Sequence, residues 1–239
     1  MKTVDSVFED LKIVQDSEHL KYGTDALLLS AFAGGGKNLN AIDLGCGNGI
    51  ISLCLLHSKK VGLVTGVEIL QSSAELARES AEINGLSESF KVENRDFTEV
   101  PKELYGAFDY AVSNPPYMKV TSGKPCELDT KNAARHEAFC DVYSLCDSAS
   151  KYVKFGGYFY VVYRPDRISD LFDALKKSKF EPKRICFVSA RPELAPCLML
   201  VEAKSNAATG CTLMPPFFIS GSDGENTEQM KNIYAGGSL

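Results

Sequence analysis

The chain has 239 residues, 44% of them hydrophobic and 24% charged, with a formal net charge of −5. That composition excludes wholesale disorder and collagen-like repeats, and the length suffices for a core that needs no disulfides. No apolar run approaches the roughly 18 residues that cross a bilayer, and the opening MKTVDSVFEDLKIVQD carries acids and no signal-like apolar stretch, so a cytoplasmic protein is expected.

In chain order, a short hairpin is predicted around residues 11–22 and a helix over 24–33. AIDL (41–44) reads as a buried strand. It runs through a glycine-rich turn into a helix, IISLCLLH (50–57). LVTGVEI (63–69) is a second strand, and QSSAELARESAEIN (71–84) is a helix stopped by Asn84-Gly85. FKVEN (90–94) and FDYAVSN (108–114) are the third and fourth strands, followed by a long link (118–138) and a helix over 139–154. YFYVVYR (158–164) is a fifth strand, ISDLFDALKKSKF (168–180) a helix, and RICFVSA (184–190) and CLMLVEAK (197–204) an antiparallel pair. Then come a loop, SNAATGC, an apolar segment, LMPPFFIS, and a last helix, GENTEQMKNIY (224–234). This alternation predicts an α/β fold: a doubly wound, mostly parallel seven-stranded sheet closed by an antiparallel pair. One domain over 1–239 is expected, with a core at 34–204 and extensions at 1–33 and 205–239.

The first chemical signal is Asp43-Leu44-Gly45-Cys46-Gly47-Asn48-Gly49, at the junction of the first strand and its helix. Gly45, Gly47 and Gly49 allow close backbone approach to a ligand, and the helix start offers N–H groups to an anion. Glu68 ends the second strand, where a carboxylate can accept from both hydroxyls of a ribose. Asp96, after the third strand, can accept from an exocyclic amine, with Phe97 as an aromatic wall. Dinucleotide sites prefer G-x-G-x-x-G. The G-x-G-x-G spacing here, with an acid two residues ahead, suits S-adenosylmethionine, whose amino-acid end is a zwitterion: Asp43 serves the ammonium and loop N–H groups the carboxylate.

Asn114-Pro115-Pro116-Tyr117 closes the fourth strand, beside the first in such a sheet. The Asn114 side-chain oxygen and the Pro115 carbonyl can each accept one N–H of a planar NH2 group, while Pro116 stiffens the turn and Tyr117 stacks on a flat substrate. As well as holding the reacting nitrogen in line, these acceptors stabilise the positive charge it gains, so no general base is needed before attack. Asn114 also borders the cofactor site.

Taken in order, residues 43–49, Glu68, Asp96 and 114–117 resemble the motifs of Rossmann-like, class I methyltransferases that act on amino groups, over about residues 22–204. The chain more narrowly resembles the bacterial tRNA (adenine-N6)-methyltransferases that act on adenosine 37 of valine tRNA. The features shared with these are Tyr22-Gly23-Thr24-Asp25, Ala134-Arg135-His136-Glu137, the 163–167 strand end, Glu181-Pro182-Lys183-Arg184-Ile185, Pro215-Pro216 and the acidic 224–228 helix start. The resemblance implies that Tyr22, Gly23 and Thr24 help close over the cofactor and that the partner is tRNA. Departures are Met118-Lys119 after the Pro-Pro-Tyr, and Tyr163 and Ser189 where members commonly carry His.

Residues 151–191 hold ten Lys/Arg against four Asp/Glu, net +6, leaving −11 for the rest. A basic stretch on an acidic chain is either a polyanion-binding face or a solvated helix surface. Arg135, Arg164 and Arg167 are the candidate RNA contacts. Arg135 alternatively belongs to a helix start, and the other two to surface ion pairs. Eight cysteines without C-x-x-C spacing, and His19, His57 and His136 far apart, predict reduced structural thiols and no metal. Four alternatives are weighed, the first a DNA adenine methyltransferase, which would usually need a further recognition domain. A protein-glutamine methyltransferase would use the same Asn-Pro-Pro-Tyr, but usually has a helical domain ahead of the first motif. A noncatalytic RNA-binding module would not need that motif. A nicotinamide oxidoreductase is disfavoured by the glycine spacing.

Overall fold

The computed structural model describes residues 1–16, 22–116 and 141–239. Seven strands form the core of the sheet: β3 (Asn40–Leu44), β4 (Leu63–Glu68), β5 (Phe90–Asn94), β6 (Phe108–Ser113), β7 (Val153–Tyr163), β8 (Phe180–Ser189) and β9 (Leu198–Ser205), in the spatial order β8-β9-β7-β6-β3-β4-β5. β3 to β7 pair in parallel, and β9 runs antiparallel to both β7 and β8. The carboxyl ends of β3 to β8 therefore share one rim, which the order reversal between β3 and β6 makes the natural ligand crevice.

Alternate strand residues face two apolar layers. Ala41, Tyr110, Val112 and Tyr160 face α1 (Thr24–Phe32), α2 (Ile50–His57) and α3 (Gln71–Ile83). Ile42, Leu44, Ala111 and Phe159 face α4 (Val142–Tyr152) and α5 (Ile168–Lys177). Every residue of α2 from Ile50 to Leu56 is buried, as an apolar helix pressed between α1 and the sheet must be.

The N-terminal hairpin lies earlier than expected. β1 (Lys2–Ser6) pairs with β2 (Lys12–Asp16), because the turn is closed by Val7 and Phe8 donating to the Leu11 carbonyl. Asn84 then reaches back: it accepts from the Lys12 N–H at 3.0 Å and donates to the Lys12 carbonyl at 2.7 Å, tying β2 to the end of α3. β7 and β8 begin several residues before the predicted strands. In β8 a register shift between Pro182 and Arg184 absorbs the proline.

The apolar segment 213–220 contains sheet structure that its two prolines concealed. β10 (Thr212–Leu213) and β11 (Phe217–Phe218) both lie parallel to β8 on its outer side, with Pro215 and Pro216 between them. The chain then reaches the carboxyl rim, where Ile219 and Ser220 donate to the Ser189 and Ala190 carbonyls. It returns through α6 (Glu228–Tyr234), whose start is capped by Thr227 Oγ1 accepting from the Met230 N–H at 3.1 Å. Met230 and Ile233 of α6 are buried in the layer that contains α1.

Among the described residues no helix is long and apolar enough to cross a membrane, and no group of His, Cys, Asp and Glu could hold a metal ion. Six cysteines there are free thiols; Cys197, expected in a buried strand, is exposed just ahead of β9.

Candidate active site

β3 delivers Asp43 to the rim completely buried. Ser52, on the first turn of α2, donates to its Oδ2 at 2.7 Å, whereas Oδ1 is buried without a partner among the described residues. Burial pushes this carboxyl up to about 7, against the Ser52 hydrogen bond and helped by the negative charge of Glu68. Gly45, Gly47 and Gly49 all have positive φ (77°, 57° and 87°). A Cβ on Gly45 or Gly47 would meet open space, whereas one on Gly49 would stand 2.6 Å from the Phe90 ring. The first two glycines thus leave a cradle free, and the third lets α2 pack against the sheet.

The loop uses most of its own amides. Gly45 and Cys46 donate to the Val67 carbonyl, Gly49 to the Cys46 carbonyl and Gly47 to Glu68 Oε2 at 2.9 Å. The expected binding of a ligand carboxylate by several loop amides therefore narrows to Asn48 and the first turn of α2. Glu68 accepts a second N–H, from Leu70, on Oε1 at 2.9 Å. Each oxygen keeps a further lone pair, so the pinned carboxylate can still receive hydroxyls. After β5, Asp96 Oδ1 accepts from the Thr98 amide and hydroxyl, both at 2.8 Å. Phe97 beside it packs against the α4–α5 layer, and Tyr152 donates to its carbonyl at 3.2 Å.

Asp43 lies opposite Val112 in the β3–β6 register, so Asn114 emerges level with Gly45. Ser113 fixes that placement, its hydroxyl donating to the Leu44 carbonyl at 2.7 Å. Pro115 is buried and Pro116 exposed. Tyr117 and Arg135 lie outside the described residues. Tyr22 packs against the apolar layer of α1 and α2, and its amide donates to Gln15 Oε1 at 3.3 Å. Gly23 and Thr24 start α1. Arg164 and Arg167 do stand on the carboxyl rim after β7, but paired with Asp166 (2.6 Å) and Asp170 (2.8 Å).

The charge window 151–191 divides between the two ends of the sheet. Arg164, Arg167 and Arg191 stand at the carboxyl rim, accompanied by Asp166 and Asp170. Lys151, Lys154, Lys176, Lys177, Lys179, Lys183 and Arg184 lie toward the opposite end, because α5 carries the chain from one to the other. The net +6 is therefore mostly remote from the site. Ser52 and Ser113 were missed by sequence reasoning. Ser52 had a legible signal, as the lone hydroxyl within an apolar helix.

A buried acceptor for an ammonium, an open glycine cradle, a pinned carboxylate at the level of a ribose and an Asn-Pro-Pro turn beside them define a Rossmann-like, S-adenosylmethionine-dependent methyltransferase. The model of a methyltransferase domain family matches residues 36–211, and the chain belongs to that family. A solved structure of a predicted O-methyltransferase from Agrobacterium tumefaciens shares the fold at a TM-score of 0.73 and 22% identity, over 90% of this chain and 98% of the other. Two relatives named tRNA1(Val) (adenine(37)-N6)-methyltransferase are similar over most of their length. The one from Porphyromonas gingivalis is 30% identical over 82% of this chain and 78% of its own, and the one from Phocaeicola vulgatus 28% identical over 82% of each. The chain is a member of the tRNA1(Val) (adenine(37)-N6)-methyltransferase family.

Proposed function

We propose that this protein transfers a methyl group from S-adenosylmethionine to N6 of an adenosine in tRNA, adenosine 37 of valine tRNA, in the cytoplasm, and that residues 1–239 act as one methyltransferase domain. The observation that carries the reading is the placement of Asn114 level with Gly45, two residues past Val112, which lies opposite Asp43, whose buried Oδ1 has no partner among the described residues. The named relatives support the choice of substrate.

The residues present fit the cofactor. Asp43 would hold its ammonium, Asn48 and the start of α2 its carboxylate, Glu68 its ribose hydroxyls, and Asp96 and Phe97 its adenine, with Tyr22, Gly23 and Thr24 closing over it. When bound, the cofactor supplies an electrophilic methyl group on a sulfonium. Asn114 and the Pro115 carbonyl accept the two N–H bonds of the target amine and fix its direction. The nitrogen lone pair of adenine is delocalised into the ring. The two acceptors offset that by stabilising positive charge as the nitrogen turns tetrahedral, and the proton leaves afterwards. Tyr117 stacks on the base once it is splayed from the anticodon loop, where unpaired bases cost little to unstack. Arg135, Arg164 and Arg167 contact RNA phosphates, the last two by exchanging their aspartate partners.

The test is mass spectrometry of nucleosides from tRNA incubated with the purified protein and labelled S-adenosylmethionine. N6-methyladenosine at position 37 is the expected product. Unlabelled tRNA together with a labelled protein from the same lysate would replace this reading with glutamine methylation, and tRNA binding without transfer would replace it with a noncatalytic module.

A further inference from the structure

A hydroxyl buried in an apolar helix needs a partner. Ser52 is fully buried in α2 and donates to Asp43 Oδ2 at 2.7 Å. The other oxygen of the same carboxyl, Oδ1, has no partner among the described residues. The groups around it do not neutralise it. Glu68 on β4 adds negative charge, and the Cys46 thiol in the loop and the Tyr110 hydroxyl on β6 are held neutral by their own burial. Arg78 on α3 is engaged with the Val92 carbonyl at 3.0 Å. An ionised carboxylate so enclosed carries a large desolvation cost until a cation arrives, and below about pH 7 the neutral acid is its favoured form before then.

We propose that Ser52 is a positioning residue: by occupying Oδ2 it leaves Oδ1 as the acceptor that Asp43 presents to the cofactor ammonium, so that cofactor uptake expels the proton Asp43 holds. The proposal rests on the reading of the site as one for S-adenosylmethionine. The proton balance is simple. The Asp43 O–H bond breaks, the electron pair stays on the carboxylate and accepts an N–H of the ammonium, and the proton passes to the buffer. Burial places the titration at about 7, so the exchange falls in an accessible range.

The test is calorimetry of S-adenosylhomocysteine, which carries the same amino-acid end, binding to the full chain in buffers of different ionisation enthalpy. Below pH 7 the ligand's α-amino group is already an ammonium, so the protons counted come from the protein. About 0.9 proton should be released per ligand at pH 6 and about half at pH 7, with affinity rising about fivefold from pH 6 to pH 7. Ser52→Ala removes a hydrogen bond that favours the carboxylate. It should move the midpoint of this pH dependence upward and weaken binding at pH 7, and Ser52→Thr should restore both. Binding at pH 6 without proton release overturns the coupling and leaves the cofactor reading standing. A midpoint unmoved in a Ser52→Ala protein that still melts cooperatively overturns the positioning role. Absence of binding at every pH overturns the cofactor reading, and the proposal with it.

Discussion

The two ends of the sheet treat polar groups in opposite ways. At the carboxyl rim, Asp43 is buried with one oxygen unmatched among the described residues, three glycines adopt positive φ and the backbone leaves open space at Gly45 and Gly47. At the opposite end, cations find abundant acceptors. Lys60 donates to the carbonyls of Ser30, Ala31 and Ala33 at 2.6–2.9 Å, and Arg184 reaches the Phe32 carbonyl at 3.1 Å while pairing with Glu202 at 2.7 Å. These bonds satisfy the last turn of α1, whose carbonyls have no helical donors and whose dipole favours cations. Burial, with the positive charge of Arg184 nearby, pulls Lys60 down to about 8. One end is finished by the fold alone, and the other is completed by what it binds. Substitutions at the first should therefore cost stability, and at the second should cost function.

The sharpest separation is expected from Asp43→Asn. The carboxyl is raised from 3.8 to about 7 in the folded chain, so its favourable contribution is complete below pH 4 and is lost as pH rises through 7. Removing the charge should stabilise the cofactor-free protein at pH 8 by up to about 4 kcal/mol in urea titrations, while cofactor binding collapses. A destabilised variant at pH 8 would show that Asp43 already has its partner within the fold. Next in size is Asn114→Ala, which should lower kcat for tRNA about a hundredfold, the scale of one preorganised hydrogen bond, and leave cofactor affinity and Tm nearly unchanged. Full activity would remove Asn114 from the mechanism.

From the other end, Lys60→Ala should cost about 2 kcal/mol of stability with cofactor affinity intact, because it strands buried carbonyls. Loss of cofactor binding at unchanged Tm would invert the comparison. The smallest effects belong to Arg164→Glu with Arg167→Glu. Both guanidiniums are in surface ion pairs of little stabilising worth, so Tm should barely move. Filter-binding measurements should instead show weaker tRNA affinity and a shallower salt dependence, by about 0.7 to 0.9 per lost phosphate contact. An unchanged salt slope would take both residues out of the RNA interface.

What the sequence made legible follows from range of interaction. Strand–turn–helix junctions are local, so the glycines of 45–49, Glu68 at the end of β4 and Asn114 at the end of β6 could be placed on one rim from pattern and topology. Ser52 stood out as the lone hydroxyl within an apolar helix, but its partner did not, because Asp43 lies nine residues earlier on another element. The end strands were hidden for a different reason. Thr212-Leu213 and Phe217-Phe218 are too short for a period-2 signal, and prolines separate them; only the neighbouring β8 makes them strands. The +6 window by itself left a polyanion-binding face and a solvated surface open, because a sequence average does not report that α5 crosses from one end of the molecule to the other.

The two residue pairs laid along β8 also bear on solubility. β8 is otherwise the last strand of its side, and a bare strand of ten residues offers unpaired amides and carbonyls to any other chain. Met214, Ile219 and Ser220 donate to the carbonyls of Ile185, Ser189 and Ala190, so the carboxyl half of this outer row is occupied from within. The matched domain ends at residue 211, just before this cover begins. A protein truncated there would retain the residues of the cofactor cradle, yet it would expose a template for strand addition and should self-associate on concentration. The last part of the chain thus covers the open edge of the sheet from within the same molecule.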